Sequence, residues 1–221
     1  MAAPPGNTVV GVPVLPQFPL GSVLLPTMFL PLHVFEPRYR ALTRDVLAGD
    51  STFGVPLIER GSEVGGGDVR SAIGTVARIV EAHGLPDGRW RLLAVGVRRY
   101  RVLRWLADDP YPRAEVEDWP DEEAPVDPSR YQAATAAVRR TLALAVEVGV
   151  PAPVSTVEFS ADPAVGSFQL ATAVPVGPLD KQALLRAATA ADRIELALRA
   201  AEEAAEVLAL RLTVDEDPDP S

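Results

Sequence analysis

Near residue 120 the hydrophobic period of this chain changes, and that change restricts its fold more than any other feature. From Val12 to about Trp119, apolar residues come in short runs broken by Gly and Pro, the signature of strands. From Asp127 to Leu212, Ala, Leu, Glu and Arg dominate with helical spacing. The intervening Pro120-Asp121-Glu122-Glu123-Ala124-Pro125 is acidic and flanked by proline, which predicts an exposed linker. Two parts are expected: a β-rich region over 12–119 and an α-helical region over 127–212, with residues 1–11 and 213–221 as disordered tails.

In the first part, Phe53–Ile58 and Ile73–Val80 read as strands, Asp87-Gly88 as a hairpin turn, and Arg89 to Leu106 as two further strands. Alternation slips at Leu92-Leu93, just before Gly96, which predicts a bulge or sharp bend there. Tyr111 to Glu117 is one more strand, with Tyr111, Arg113, Glu115 and Glu117 on one face. Pro37 opens a helix carrying Tyr39, Leu42, Val46 and Leu47 inward, and Gly49 is placed for a left-handed cap. Many short strands and one helix suggest a small closed or half-closed barrel.

In the second part, Asp127-Pro128 and Asp162-Pro163 pair an N-cap with proline at the first helical position, and Pro178 opens a third helix. The last helix carries Ile194, Leu198, Ala201, Ala205, Leu208 and Leu212 on one stripe, with Glu195, Arg199, Glu202, Glu203 and Glu206 facing water. Thr189 and Asp192 form its capping signal. Gly61 to Gly67 reads as a flexible hairpin loop, and the path from Val150 to Phe159 is left open.

Composition narrows the function. A net charge of −9 opposes general binding to nucleic acid or anionic membranes, although a local basic patch would be compatible with it. With no cysteine, thiolate catalysis and Cys-ligated zinc are excluded. His33 and His83 stand far apart, without metal-ligand spacing. No charged leader precedes Arg38, and no run approaches the roughly 18 apolar residues of a membrane span, so a soluble cytoplasmic protein is expected.

Three strings carry a resemblance: Leu15-Pro-Gln-Phe-Pro-Leu20, Val23-Leu-Leu-Pro26, and Leu30-Pro-Leu-His-Val-Phe-Glu-Pro-Arg-Tyr-Arg40. Phe53-Gly54-Val55, Gly74 to Ile79, Leu85 to Val102, Asp180 to Leu185 and Asp192 to Ile194 follow in compatible order. Together they resemble the N-terminal, substrate-binding domain of the Lon protease family over roughly Leu15 to Leu212. The resemblance implies an α+β fold. A PUA-like β-barrel with one inserted helix comes first, then a C-terminal helical bundle ending in a long amphipathic helix. Thr27 departs from the family pattern, which has glycine after the proline, so a rearranged turn is expected there.

The resemblance also implies a stand-alone, non-catalytic, ATP-independent module that binds polypeptide substrates or a protein partner. A phosphate-binding loop needs lysine after glycine, whereas the sole lysine, Lys181, follows Asp180 within a helical segment. No residue is assigned a catalytic, cofactor or metal role. The candidate partner-binding residues are Leu24, Leu25, Met28 and Phe29, an apolar run, and Arg99 and Arg101, from the basic cluster Arg98 to Arg104. That cluster supports the alternative, an RNA-binding PUA-like protein, if its charges are free; stems lying on apolar surface and paired with carboxylates are the structural expectation. Phe35 and Tyr39 are expected to pack into the barrel, and Glu36 to bond Arg38 or backbone amides.

Overall fold

The computed structural model describes residues 12–61, 67–150 and 156–215. They form an α+β molecule with six strands and five helices. The elements in chain order are β1 (Val14–Pro16), β2 (Phe29–Val34), α1 (Pro37–Leu47), β3 (Thr52–Arg60), β4 (Val69–Gly84), β5 (Trp90–Trp105), β6 (Arg113–Asp118), α2 (Pro128–Glu147), α3 (Pro163–Ala173), α4 (Pro178–Leu185) and α5 (Ala190–Asp215). The strands form one sheet in the order β1-β6-β5-β4-β3, and β2 pairs with β5 off this path.

Of the closed or half-closed barrel expected, the closed form is not what the strands make. Residues following β1 reach β3 through two isolated parallel bridges, Gln17 with Gly54 and Leu20 with Leu57, not through a ladder, so the sheet is not closed. Arg89 to Leu106 supplies one strand instead of two, because β5 runs through the predicted bend. Its partner register jumps from Val76↔Arg98 to Ala77↔Gly96, leaving Val97 as the extra residue. Such a bulge turns the strand without ending it. The first part of β5 then pairs with β2 and the second with β6.

Local signals at the helix starts are realised as read. Asp127 accepts from the Ser129 amide at 2.8 Å and Asp162 from the Ala164 amide at 3.0 Å. Ahead of α5, the Thr189 hydroxyl accepts from the Asp192 amide at 3.0 Å and donates to its carboxylate at 2.8 Å. The left-handed residue after α1, however, is Ser51 with φ 61°, not Gly49. Helix α5 continues to Asp215, three residues into the segment expected to be a tail. Residues 1–11, 62–66, 151–155 and 216–221, which hold the rest of the predicted tails and loops, lie outside the described residues.

Two large clusters of side chains and a smaller one organise the packing. In one, Phe18 stacks on Tyr39 at 4.1 Å between centroids, and Phe53 packs with Leu42 and Val46 of α1. In the other, Val138, Leu142, Leu170, Ile194 and Leu198 of the helices meet Val23, Leu25 and Leu57 of the β-rich part. Tyr100 anchors the smaller cluster and donates to Gln17 Oε1. The predicted stripe of α5 is buried at Ile194, Leu198, Ala201 and Leu208. Among the described residues, no helix is long and apolar enough to cross a membrane.

Candidate functional site

The candidate site forms where the sheet meets the helices, around a cluster of charges that pairing along the chain could not show. Arg99 leaves β5 toward the helical layer and is buried. Its Nη1 donates to the carbonyls of Leu185 at 2.7 Å and Ala187 at 2.6 Å, and its Nη2 to Asp121 Oδ1 at 2.5 Å. From α5, the fully buried Arg193 holds the same carboxylate with both arms, at 2.6 and 3.0 Å. Arg193 also donates to Ser167 Oγ at 2.8 Å and to the Leu184 carbonyl at 3.3 Å.

Two guanidiniums therefore share one carboxylate. Burial, with the Arg193 cation adding to it against the pull of Asp121, lowers the Arg99 guanidinium to about 10. Among the described residues, no other carboxylate bonds either of them. Aromatic faces take up part of the field. The Arg193 guanidinium carbon lies 3.6 Å from the Phe168 centroid, and that of Arg99 lies 4.2 Å from Trp119. The linker is thus pinned at Asp121, while Glu122 to Pro125 are exposed as expected.

Above this layer opens a groove of about 320 Å³. One wall is Val97 to Arg99 of β5, a second is Trp119 to Asp121, and a third is Ala164, Val165 and Phe168 of α3. Pro26 and Thr27 complete it. Thr27 adopts φ 72°. This is a left-handed position suited to glycine, with a β-branched residue strained within it. Thr27→Gly is expected to raise stability by about 1 kcal/mol by relieving that conformation. Urea unfolding measures it, and an unchanged or lowered midpoint would count against strain.

The six candidate partner-binding residues scatter. Leu24 and Leu25 are in the core at 2% and 0% exposure, so neither presents a surface to a partner. The Thr75 hydroxyl donates to the Leu24 carbonyl at 2.6 Å, fixing that run inward. Met28 is half-buried against the core, and Phe29 is 62% exposed on β2. Arg99 lies in the groove, whereas Arg101 is exposed and paired with Glu117 at 2.7 Å. Phe35 projects into solvent, contrary to the expectation that it packs inside; Tyr39 alone does so. Arg38 bonds Glu36 at 3.0 Å as anticipated.

The basic cluster is matched residue by residue: Arg98 with Asp118 at 2.7 Å, Arg99 with Asp121, Arg101 with Glu117, and Arg104 with Glu115 at 3.1 Å. With each of these four guanidiniums bonded to a carboxylate, the RNA-binding alternative is not favoured. Lys181 is partly buried and donates to the carbonyls of Ala171, Thr172 and Val174 at 2.5, 2.8 and 2.6 Å, closing the end of α3. Burial pushes its ammonium down to about 8. Among the described residues, no group of three or more His, Cys, Asp or Glu side chains is arranged to hold a metal ion.

An open, largely apolar groove built on a strand, a helix and a pinned linker defines a binding domain of the α+β class. The chain belongs to the family of the ATP-dependent protease La (LON) substrate-binding domain, whose pattern matches residues 14–202. It is similar to the Lon protease of Anaeromyxobacter dehalogenans, 28% identical over 208 residues, which are 91% of this chain and 24% of that protein. The Lon protease of Dictyoglomus thermophilum is 36% identical over 105 residues, 47% of this chain and 13% of that protein. The chain therefore spans well under two thirds of the length of these relatives. A crystal structure of a Lon N-terminal domain protein from Xanthomonas campestris superposes with TM-score 0.64 at 31% identity, covering 85% of this chain and 98% of the other. The N-terminal domain of the Mycobacterium avium complex Lon protease shares the fold, with TM-score 0.60 at 18% identity.

Proposed function

We propose that this chain is a non-catalytic, ATP-independent module, soluble and cytoplasmic, that binds an extended polypeptide in the groove between β5, α3 and the Trp119–Asp121 segment. The observation that carries this reading is the groove itself: Trp119, Val97, Val165 and Phe168 offer apolar walls on elements that packing holds in place. Membership of a substrate-binding family supports polypeptide as the ligand. On this reading the PUA-like barrel of the family is realised as an open sheet, and α2 to α5 form the bundle beside it. The parts 12–119 and 127–212 act as two subdomains with a shared core, since Leu25 and Leu57 pack among the helices.

The test is amide chemical-shift mapping with a permanently unfolded probe, reduced and carboxymethylated lactalbumin, against its native folded form. Shifts concentrated at Thr27, Val97 to Arg99, Trp119 to Asp121 and Ala164 to Phe168, with the unfolded probe alone, are the expected result. Shifts confined to other surfaces, or equal binding of folded and unfolded probe, would remove the assignment. Steeply salt-dependent binding of a single-stranded RNA would revive the alternative.

A further inference from the structure

The charges around the groove do not balance. Further along β5, Arg101 and Arg104 each have a carboxylate of their own, Glu117 and Glu115, but at the groove Arg98, Arg99 and Arg193 pair with two, Asp118 and Asp121, among the described residues. Glu122 and Glu123, next along the chain, are exposed and outside the lining. In a chain of net charge −9, this is a local excess of positive charge under apolar walls. Low-dielectric walls focus such a field into the opening above it.

The excess can reach a ligand through Arg98. Its side chain is 47% exposed at the rim, and Asp118, the carboxylate it pairs with, is more exposed still. Water competes with a pair of that kind, so it is worth little and exchanges readily for a new partner. The exposed Thr27, whose amide donates to the Gly96 carbonyl of β5 at 2.8 Å, lines the same opening. Val97, Trp119 and Val165 lie close enough to receive the side chain next to an anion held there.

Resting on the reading that polypeptide occupies this groove, we propose that it selects segments carrying a carboxylate beside an aromatic or aliphatic side chain. Arg98 would hold the carboxylate as a charge-assisted pair, while the neighbouring side chain lies on Trp119 and Val165. A lysine at the same position would meet the unbalanced guanidiniums of the floor and be rejected.

Short fluorescein-labelled peptides test this by anisotropy, with Phe-Glu, Phe-Gln or Phe-Lys at one otherwise constant site. The Glu peptide is expected to bind about tenfold more tightly than the Lys peptide at low salt, with Gln between them. High salt and Arg98→Gln should each shrink that ratio to below about threefold. Ala164→Trp, which fills the groove from an exposed helical position, should weaken all three. If amidating the peptide C-terminus abolishes the preference while Glu→Gln leaves it, the recognised carboxylate is terminal.

Equal affinity for Glu and Lys peptides, with Ala164→Trp weakening both, overturns the charge preference and leaves the groove reading standing. Binding that Ala164→Trp does not touch, or no binding of any peptide, overturns the groove reading and the preference with it.

Discussion

Asp121→Asn should lower the stability of this protein by about 3 kcal/mol, the cost of leaving buried cations without their counter-charge. The amide keeps the shape of the carboxylate but not its charge. It cannot accept from Arg99 Nη2 and both Arg193 arms as strongly, and these donors sit 2.5 to 3.0 Å away, with no second carboxylate bonded to them among the described residues. The loss stays at the low end of what a broken buried pair costs because the Asp121 side chain is 21% exposed and water can reach it.

A double-mutant cycle separates this from a loss of packing. Arg193→Met removes one of the two cations while keeping most of the apolar volume beside Phe168. Asp121→Asn should therefore cost less in the Arg193→Met background than in the wild type, by at least about 1 kcal/mol. Urea unfolding monitored by tryptophan fluorescence provides both numbers. Additive losses, or a single-variant loss below about 1 kcal/mol, would show that the shared carboxylate matters little.

Gly96→Ala is expected to cost about 3 kcal/mol, the upper range for overpacking at a closed site. A Cβ there would lie 2.3 Å from the Leu25 carbonyl oxygen and 3.1 Å from Thr75 Cγ2. The first neighbour is backbone, and it cannot withdraw. Thr75 ties the adjacent Leu24 carbonyl, Leu25 is fully buried, and the Thr27 amide donates to the Gly96 carbonyl at 2.8 Å. Moving this segment would also shift Pro26 and Thr27 in the groove wall, so peptide binding should fall together with stability. Gly177→Ala is the control, since its Cβ would meet only Asp180 Oδ2, at 3.9 Å. Equal midpoints for the two variants would refute the close-approach argument.

These two positions show how differently parts of the site were legible. Gly96 was marked in the sequence by the break in alternation before it, and a bend does occur there, with Val97 as the bulged residue. The reason glycine is needed was hidden, because the Leu25 carbonyl approaches from seventy-one positions earlier in the chain. Asp121 carried the opposite signal. An acidic, proline-flanked stretch reads as solvated linker, and five of its six residues are exposed, but one carboxylate is drawn inward by two arginines from distant elements.

Phe168 and Arg193 were missed as site residues for the same reason. Phe168 was legible only as one apolar residue of a helix, and Arg193 as part of a family-like string. A charged residue next to the apolar stripe of α5 is expected to face water. Nothing local shows that a carboxylate from the linker will meet it. Leu24 and Leu25 illustrate the reverse error, since an apolar run bounded by proline can be loop surface or core, and periodicity cannot arbitrate over so few residues.

By itself the sequence determined the change of period near residue 120, the Asp-Pro helix starts, the buried stripe of α5, and the ordered motifs that place the chain in its family. These are short-range properties, set by backbone sterics, capping and hydrophobic spacing, which neighbours along the chain decide between themselves. Tertiary structure alone decided that the sheet stays open, that Arg99 is buried while Arg101 is not, and that Asp121 serves two cations beneath a groove. Each of these depends on which distant surface covers a residue, and alternation along a strand assigns a side chain to a face without saying what lies upon it.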